Sequence, residues 1–225
     1  LVARTQSELD KVTAQIRSDF GVQAAGHAAD LSSSAAIKPL AAACGDVDIL
    51  VNSAGAIPRG TLLDIDEERW RKAWDLKLFG AINLTREIYG PMCRRGKGVI
   101  INIASGAGMR GSPMTGAYAA AKAGMINLTQ TLALELAERG IRVNPVSPGP
   151  VVTEAYLGVL GISDQLEKLR QTIPLGRLGT IDDIGAAVMF FCSPAASWIT
   201  GQNLLVAGGR TERSYQYGGR KQQGE

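Results

Sequence analysis

The sequence predicts an α/β protein built on a parallel sheet, and three observations carry that prediction. Apolar runs such as Val99-Ile100-Ile101-Asn102-Ile103 and Asp48-Ile49-Leu50-Val51-Asn52 have no polar alternation. Strands of that kind are buried on both faces, as parallel strands are. Between these runs lie stretches with apolar residues every three or four positions, the period of a helix with one buried face. The runs end in small, Gly-rich segments, which suit the carboxyl ends of such strands, where α/β proteins bind ligands.

Composition narrows the classes. A chain of 225 residues forms one domain with ample core. Apolar residues make up 45%, aromatics only 5%, and Gly numbers 27, which suits close packing of helices on a sheet. The net charge of +3 is small and not clustered, so neither nucleic acid nor a membrane surface is implied. No run reaches transmembrane length, and no signal peptide is present. Cys44, Cys93 and Cys192 are scattered without metal spacing; they fit a reducing, cytoplasmic setting.

Taken in order, Leu1–Arg4 reads as the tail of a buried strand. A helix is predicted over 5–20, with Leu9, Val12, Ile16 and Phe20 facing the core. A strand ends at Asp30-Leu31, and Asp30 is placed to cap a helix over 34–43. His27, the only histidine, has no partner motif and reads as a surface or packing residue. The strand 48–52 runs into Ser53-Ala54-Gly55, small residues that let backbone approach a ligand; Asn52 is placed to tie neighbouring strands. A long helix is predicted over 66–90, with Trp70, Trp74, Leu78, Ala81 and Thr85 on one side. The acids at 64–68 sit at its start, where they complement the helix dipole.

The central stretch is 98–124. Its strand ends at Ala104-Ser105, a Gly-rich loop follows, and a helix then carries Tyr118 and Lys122. A spacing of four puts phenol and ammonium on one helical face. A phenol titrates near 10, and a nearby cation favours the phenolate. Lys122 is so placed, and Ser105 can donate a hydrogen bond to a carbonyl or alkoxide oxygen. The trio suits protonation of a ketone oxygen, or removal of the proton from an alcohol. In the helix 117–139 the predicted packing stripe is Ala117, Ala121, Gly124, Leu128, Leu132 and Leu136. The strand from Ile141 contains Pro145, which removes a ladder donor and predicts a bulge. Residues 154–180, with Tyr156, Leu157, Val159, Leu160, Ile162 and Leu166, read as a substrate lid. A helix follows at 181–192, and a strand over 203–206 ends at Gly208-Gly209. Residues 210–225 are polar without an apolar period and read as a tail without fixed structure.

Ser105, Tyr-x-x-x-Lys at 118–122, Asn52-Ser53-Ala54-Gly55 and the Pro148-Gly149 loop together resemble the short-chain dehydrogenase/reductase family, from residue 1 to about Gly209. The resemblance implies a single-domain, doubly wound, mostly parallel Rossmann-like sheet over 1–209. It also implies hydride transfer between a nicotinamide dinucleotide and an alcohol/carbonyl pair. The family's Ser, Tyr and Lys fall on Ser105, Tyr118 and Lys122. Its cofactor contacts fall on Asp30 and Leu31 (adenine), on Asn52, Ala54 and Gly55, and on Pro148, Gly149, Val151 and Thr153. At the first strand's end, where NAD-preferring members carry an acid, this chain has Ala3 and Arg4. A guanidinium pairs with a 2′-phosphate, so NADP(H) is the expected cofactor, with NAD(H) the alternative. The family also implies a homodimer or homotetramer and a small carbonyl or alcohol substrate, with a 3-oxoacyl thioester as one candidate.

Two departures stand out. The family's first strand, Gly-rich turn and helix, roughly 30 residues, have no counterpart in the sequence, and the expected sheet has a hole there. The natural protein is expected to supply that unit, because a central strand's neighbours would otherwise lose their hydrogen-bond partners. Lys77 stands where the family has the Asn of its proton relay. It can lower one lysine's pKa, bind an anionic substrate, or point away. These departures motivate a rival reading, a non-catalytic nucleotide-binding or oligomer-interaction homologue. A sugar-nucleotide epimerase shares Tyr-x-x-x-Lys, but the ending at Gly208-Gly209 argues against it.

Overall fold

The structure, a computed structural model, describes residues 1–55, 57–153 and 163–210. The first part of the expected lid, 154–162, and the tail from residue 211 lie outside the described residues. Strands β1 (Val2–Ala3), β2 (His27–Ala28), β3 (Ile49–Asn52), β4 (Gly98–Ile103), β5 (Ile141–Pro148) and β6 (Leu204–Val206) all pair in parallel. Between them run α1 (Gln6–Phe20), α2 (Ser34–Cys44), α3 (Glu67–Trp74), a π-turn (Asp75–Phe79), α4 (Gly80–Arg95), α5 (Gly116–Leu136), α6 (Ser163–Gln171) and α7 (Ile181–Cys192).

Helices cover both faces, and β4 shows why its sequence is apolar throughout. Ile100 packs into one cluster with Leu50, Leu84, Ile88, Met92 and Val143. Its neighbour Ile101 packs into a second cluster with Val146, Phe191 and Ala196. Successive strand side chains point to opposite faces, so a strand covered on both sides needs apolar residues at consecutive positions. Ile100, Ile101, Val143 and Val146 are each 0% exposed.

The strands fall into two groups, β1–β2 and β3–β4–β5–β6. Between β1 and β3 lies a slot of about 590 Å³ lined by Leu1, Val2, Leu50, Val51, Asn52 and Ala54 among others. Among the described residues β1 pairs with β2, and β3 with β4. Ile49 and Val51 remain 45% and 42% exposed on β3. The order of the strands reverses across this slot, which makes it the switch point of the doubly wound sheet.

Several sequence expectations are corrected. The helix predicted over 66–90 is two helices joined by the π-turn, and the second runs on to Arg95. In α1, Leu9 and Thr13 are buried while Val12 and Phe20 are exposed, because the helix covers only the short β1–β2 pair. In α5 the buried stripe is Ala117, Ala121, Met125, Thr129, Ala133 and Leu136, four-residue steps closed by one of three; Gly124, Leu128 and Leu132 are half-buried on its flank. Pro145 makes no bulge: β4 and β5 stay in register through Asn102↔Pro145. Val146 O accepts from Ala104 N on the β4 side, whereas Val143 O and Val206 O take part in bonds with Gly201 and Gly149 on the other side. The missing donor of Pro145 therefore faces the β6 side, short of Leu204, where β6 pairing begins. Asp30 does not cap α2. Its carboxylate accepts from the backbone N and hydroxyl of Ser32 at 2.9 and 2.7 Å, and Ser33 stands at the N-cap. The acids before α3 are structural, as expected, with the Asp66 carboxylate accepting from Arg69 N at 2.8 Å.

Candidate active site

The carboxyl ends of β3, β4 and β5 face one crevice. β3 delivers Asn52 and the turn Ser53–Gly55, β4 delivers Ser105, and β5 delivers Pro148 and Gly149. Asn52 ties strands as expected: its Nδ2 donates to Asn102 Oδ1 at 2.8 Å and more weakly to Thr85 Oγ1 at 3.3 Å. The chain of bonds continues beyond the sequence reading. Asn102 Nδ2 donates to Thr129 Oγ1 at 2.9 Å, and Thr129 donates to Met125 O at 2.6 Å. This buried polar ladder fixes β3, β4 and α5 relative to one another. Asn102 and Thr129 were legible only as polar residues interrupting apolar stripes.

Ser105 begins a short 3₁₀ turn, Gly106–Met109, and its Oγ accepts from Ala107 N at 3.1 Å. That turn lies flat on α5 because position 108 is glycine. A Cβ there would sit 2.7 Å from the backbone carbon of Lys122, closer than packed atoms approach. This contact brings Ser105 to the helix that carries Tyr118 and Lys122. Thr115 precedes that helix, and Trp74 Nε1 donates to Ala117 O at 3.2 Å, seating α3 against its first turn.

Tyr118 is half-buried and Lys122 is 5% exposed. Lys122 donates to Ile103 O at the end of β4, and its Nζ lies 6.0 Å from the Tyr118 ring centroid. The expected simple lowering of the phenol by Lys122 does not hold in this site. Burial pushes the Tyr118 phenol up, and the Ser105 hydroxyl works against it. Lys122 is itself pulled down to about 7, by burial first and then by the charge of Lys77. Of the three readings left open for Lys77, pointing away is excluded, because the side chain points inward. It is 2% exposed, its Nζ stands 4.9 Å from the Tyr118 ring centroid, and burial lowers it to about 8.

The residues matched to cofactor contacts line the same edge. Asn52 and Ala54 border the slot. Gly55 abuts Lys77, whose Nζ would lie 2.5 Å from a Cβ at that position. Gly149 donates to Val206 O at 2.8 Å and passes so near Ala207 that a Cβ would fall 2.7 Å from the Ala207 Cβ. Val151 is held by a bridge to Gly179, and Thr153 follows it. Leu31 packs on the core beside α4, its carbonyl close against Gly80. Arg4, exposed at the end of β1, is near enough to Asp30 for its charge to help lower that carboxyl. His27 lies within β2, donating its backbone N–H to Leu1 O at 2.9 Å.

A doubly wound parallel sheet with a hydroxyl, a phenol and an ammonium at its switch-point edge defines a dinucleotide-dependent oxidoreductase class. Comparison with known proteins places the chain further. Residues 1–211 match the family model described as enoyl-(acyl carrier protein) reductase. The 3-oxoacyl-[acyl-carrier-protein] reductase FabG of Staphylococcus aureus strain Mu50 is 37% identical over 207 residues, 92% of this chain and 82% of that protein. The gluconate 5-dehydrogenase of Burkholderia cenocepacia, solved with NADP and tartrate, superposes with a TM-score of 0.85 at 30% identity, covering 93% of this chain and 84% of that one. A 7α-hydroxysteroid dehydrogenase solved with NADH and 7-oxo glycochenodeoxycholic acid gives 0.88 at 34% identity, covering 94% and 83%. The chain belongs to the short-chain dehydrogenase/reductase family, oxidoreductases acting on CH–OH and C=O groups. No helix among the described residues is long and apolar enough to cross a membrane.

Proposed function

We propose that this protein is an NADP(H)-dependent oxidoreductase that interconverts a ketone and a secondary alcohol, with a 3-oxoacyl thioester as the substrate class. The observation that carries the reading is the convergence of Ser105, Tyr118 and Lys122 where the sheet opens. The similarity to 3-oxoacyl-[acyl-carrier-protein] reductase supports the substrate class.

The residues present fit a dinucleotide. Lys77 and Lys122 bring positive charge to the crevice, and among the described residues neither pairs with a carboxylate. The small turn Ser53–Gly55 and the loop Pro148–Thr153 admit close backbone approach, Asp30 and Leu31 stand near the adenine end, and Arg4 offers a guanidinium to a 2′-phosphate. A bound nicotinamide supplies or accepts the hydride. Ser105 Oγ already accepts from Ala107 N, so its own proton is available to the substrate oxygen. Tyr118 gives its phenolic proton to that oxygen in reduction and takes it back in oxidation. Lys122, anchored on Ile103 O, holds the ribose side of the cofactor. Residues 154–180 act as the lid, and 1–209 as one domain.

The half-exposed Phe79 and the exposed Tyr89 and Leu134, on the outer sides of the π-turn, α4 and α5, support a homodimer or homotetramer. The free cysteines Cys44, Cys93 and Cys192 suit the cytoplasm. A second reading, a non-catalytic nucleotide-binding or oligomer-interaction homologue, is favoured by the inward Lys77 at the position of the family's relay Asn. Fluorescence titration with NADPH and NADH, followed by NADPH consumption with a 3-oxoacyl thioester, separates the two. Tighter NADPH binding and steady consumption are expected. Binding without consumption of any ketone selects the nucleotide-binding form of the second reading, and no binding of either nucleotide overturns the enzyme reading.

A further inference from the structure

We propose that Lys77 is a positioning residue for the proton-transfer step, its ammonium held over the Tyr118 ring so as to favour the phenolate. This rests on the reading of Tyr118 as the acid–base group.

The local backbone explains how a lysine comes to face inward. In the π-turn Asp75–Phe79, Gly80 N–H closes on Asp75 O, one residue wider than an α-helical turn. Such wide turns re-aim side chains and recur at functional sites. Here Lys77 is 2% exposed while Phe79, two residues on, is 48% exposed. Gly55 backs the ammonium so closely that any side chain there would displace it.

Three observations tie Lys77 to Tyr118. Its Nζ is nearer the ring centroid than that of Lys122, 4.9 Å against 6.0 Å. Lys122 spends a hydrogen bond on Ile103 O, whereas among the described residues no acceptor lies within hydrogen-bonding distance of Lys77. The surrounding carboxylates are engaged or turned elsewhere. Asp30, in the loop packed against Gly80, accepts from Ser32. On α3, Glu67 and Glu68 pair outward with Arg71 and Lys72. Asp75, on the same π-turn, makes no ion pair with Lys77, and α5 presents only Lys122 and Tyr118. The aromatic face is therefore the partner of this ammonium.

A cation over a neutral phenol is weakly held, but over a phenolate it faces a full negative charge. At an effective dielectric of about 20 and a separation of about 5 Å, that attraction moves the ionisation by up to roughly two pH units. Lys77 titrates at about 8 and Lys122 at about 7, so near neutrality Lys77 keeps more of its proton. The three groups titrate as one coupled set, and a proton shared between amine and phenol leaves the net charge of the site unchanged.

The test compares wild type, Lys77→Met and Lys77→Arg, each against the same protein carrying Tyr118→Phe. The phenolate absorbance of Tyr118 is read as the difference between the members of each pair. In Lys77→Met the phenolate fraction at about pH 9 is expected to fall about tenfold, and Lys77→Arg, charged at every pH used, is expected to restore it to at least the wild-type level. The rising limb of the alcohol-oxidation pH profile moves upward in Lys77→Met by the same interval. A phenolate fraction in Lys77→Met within twofold of wild type overturns the proposal, as does failure of Lys77→Arg to restore it. Should Lys77→Met not fold, as judged by circular dichroism, Lys77→Gln carries the same comparison. Absence of turnover in wild type would refute the acid–base reading alone, because the absorbance still reports the lysine–phenol coupling.

Discussion

Two buried lysines without a carboxylate oppose folding at neutral pH, and the opposition should fade as pH rises. Lys77 titrates at about 8 in the folded chain, against 10.5 when exposed. Between those values the unfolded chain holds the proton and the folded chain has lost it. The unfolded state then binds more protons, so stability climbs with pH. Below about 8 both states are protonated and the cost is constant. One pKa unit corresponds to about 1.4 kcal/mol, so a shift from 10.5 to about 8 costs about 3 kcal/mol near pH 7. The cost falls to about 2 kcal/mol near pH 9 and to about 1 kcal/mol near pH 10.

Lys77→Met keeps the apolar stem and removes the charge. The variant should therefore gain most over wild type at pH 7, and its advantage should shrink by about 1 kcal/mol between pH 7 and pH 9. Loss of the contact with the Tyr118 ring, about 1 kcal/mol, lowers the gain without changing that slope. Urea unfolding at the two pH values, without cofactor, measures it, and subtracting the variant from wild type cancels the titrating groups not coupled to Lys77; Lys122, released from the charge of Lys77 in the variant, changes the difference in the same direction. An advantage that stays the same or grows from pH 7 to pH 9 would refute the account of a desolvated lysine.

Other expectations follow from single contacts. Tyr118→Phe removes only a hydroxyl, so kcat should fall about 10²- to 10⁴-fold while the dissociation constant for NADPH stays within about twofold; steady-state kinetics and a fluorescence titration measure the two. Arg4→Ala should weaken NADPH about tenfold and leave NADH unchanged, the worth of one charge-assisted contact; parallel titrations with both nucleotides check it. Asn102→Leu removes the acceptor of Asn52 Nδ2 and the donor to Thr129 Oγ1, leaving Asn52 only its weaker bond to Thr85, and should cost about 1–3 kcal/mol in urea unfolding, with a loss of activity as β3 shifts against α5.

Much of the site was legible because it depends on short-range geometry. Tyr118 and Lys122 share a face by helical spacing alone, and Ser105 lies at a strand end that the apolar run marks. The approach of Ser105 to the helix was not legible as such, since it depends on the backbone of residues 106–109 lying on α5, which only glycine at 108 permits. Lys77 was visible as an anomaly but its direction was not, because a π-turn is a single inserted residue that leaves the apolar period of the flanking helices intact. The buried stripe of α5 was displaced for a related reason. Small residues such as Ala117, Ala121 and Ala133 sit deepest where the helix crosses the sheet, and the leucines that dominate the sequence pattern lie at its flank.

The sequence by itself determined the α/β class, the two-faced burial of β4, the small-residue turns at the strand ends and the Ser–Tyr–Lys set, because periodicity and spacing act over a few residues; the same reading of β3 does not hold, since Ile49 and Val51 are exposed. Only the tertiary structure decided that the strands fall into the groups β1–β2 and β3–β6, that Asp30 closes on Ser32 instead of capping α2, that Pro145 turns its missing donor toward the side where β6 has not yet begun, and that Lys77 rather than Lys122 lies nearest the Tyr118 ring. Each of these depends on which distant backbone or side chain arrives at a given atom, and that is set by packing across the sheet.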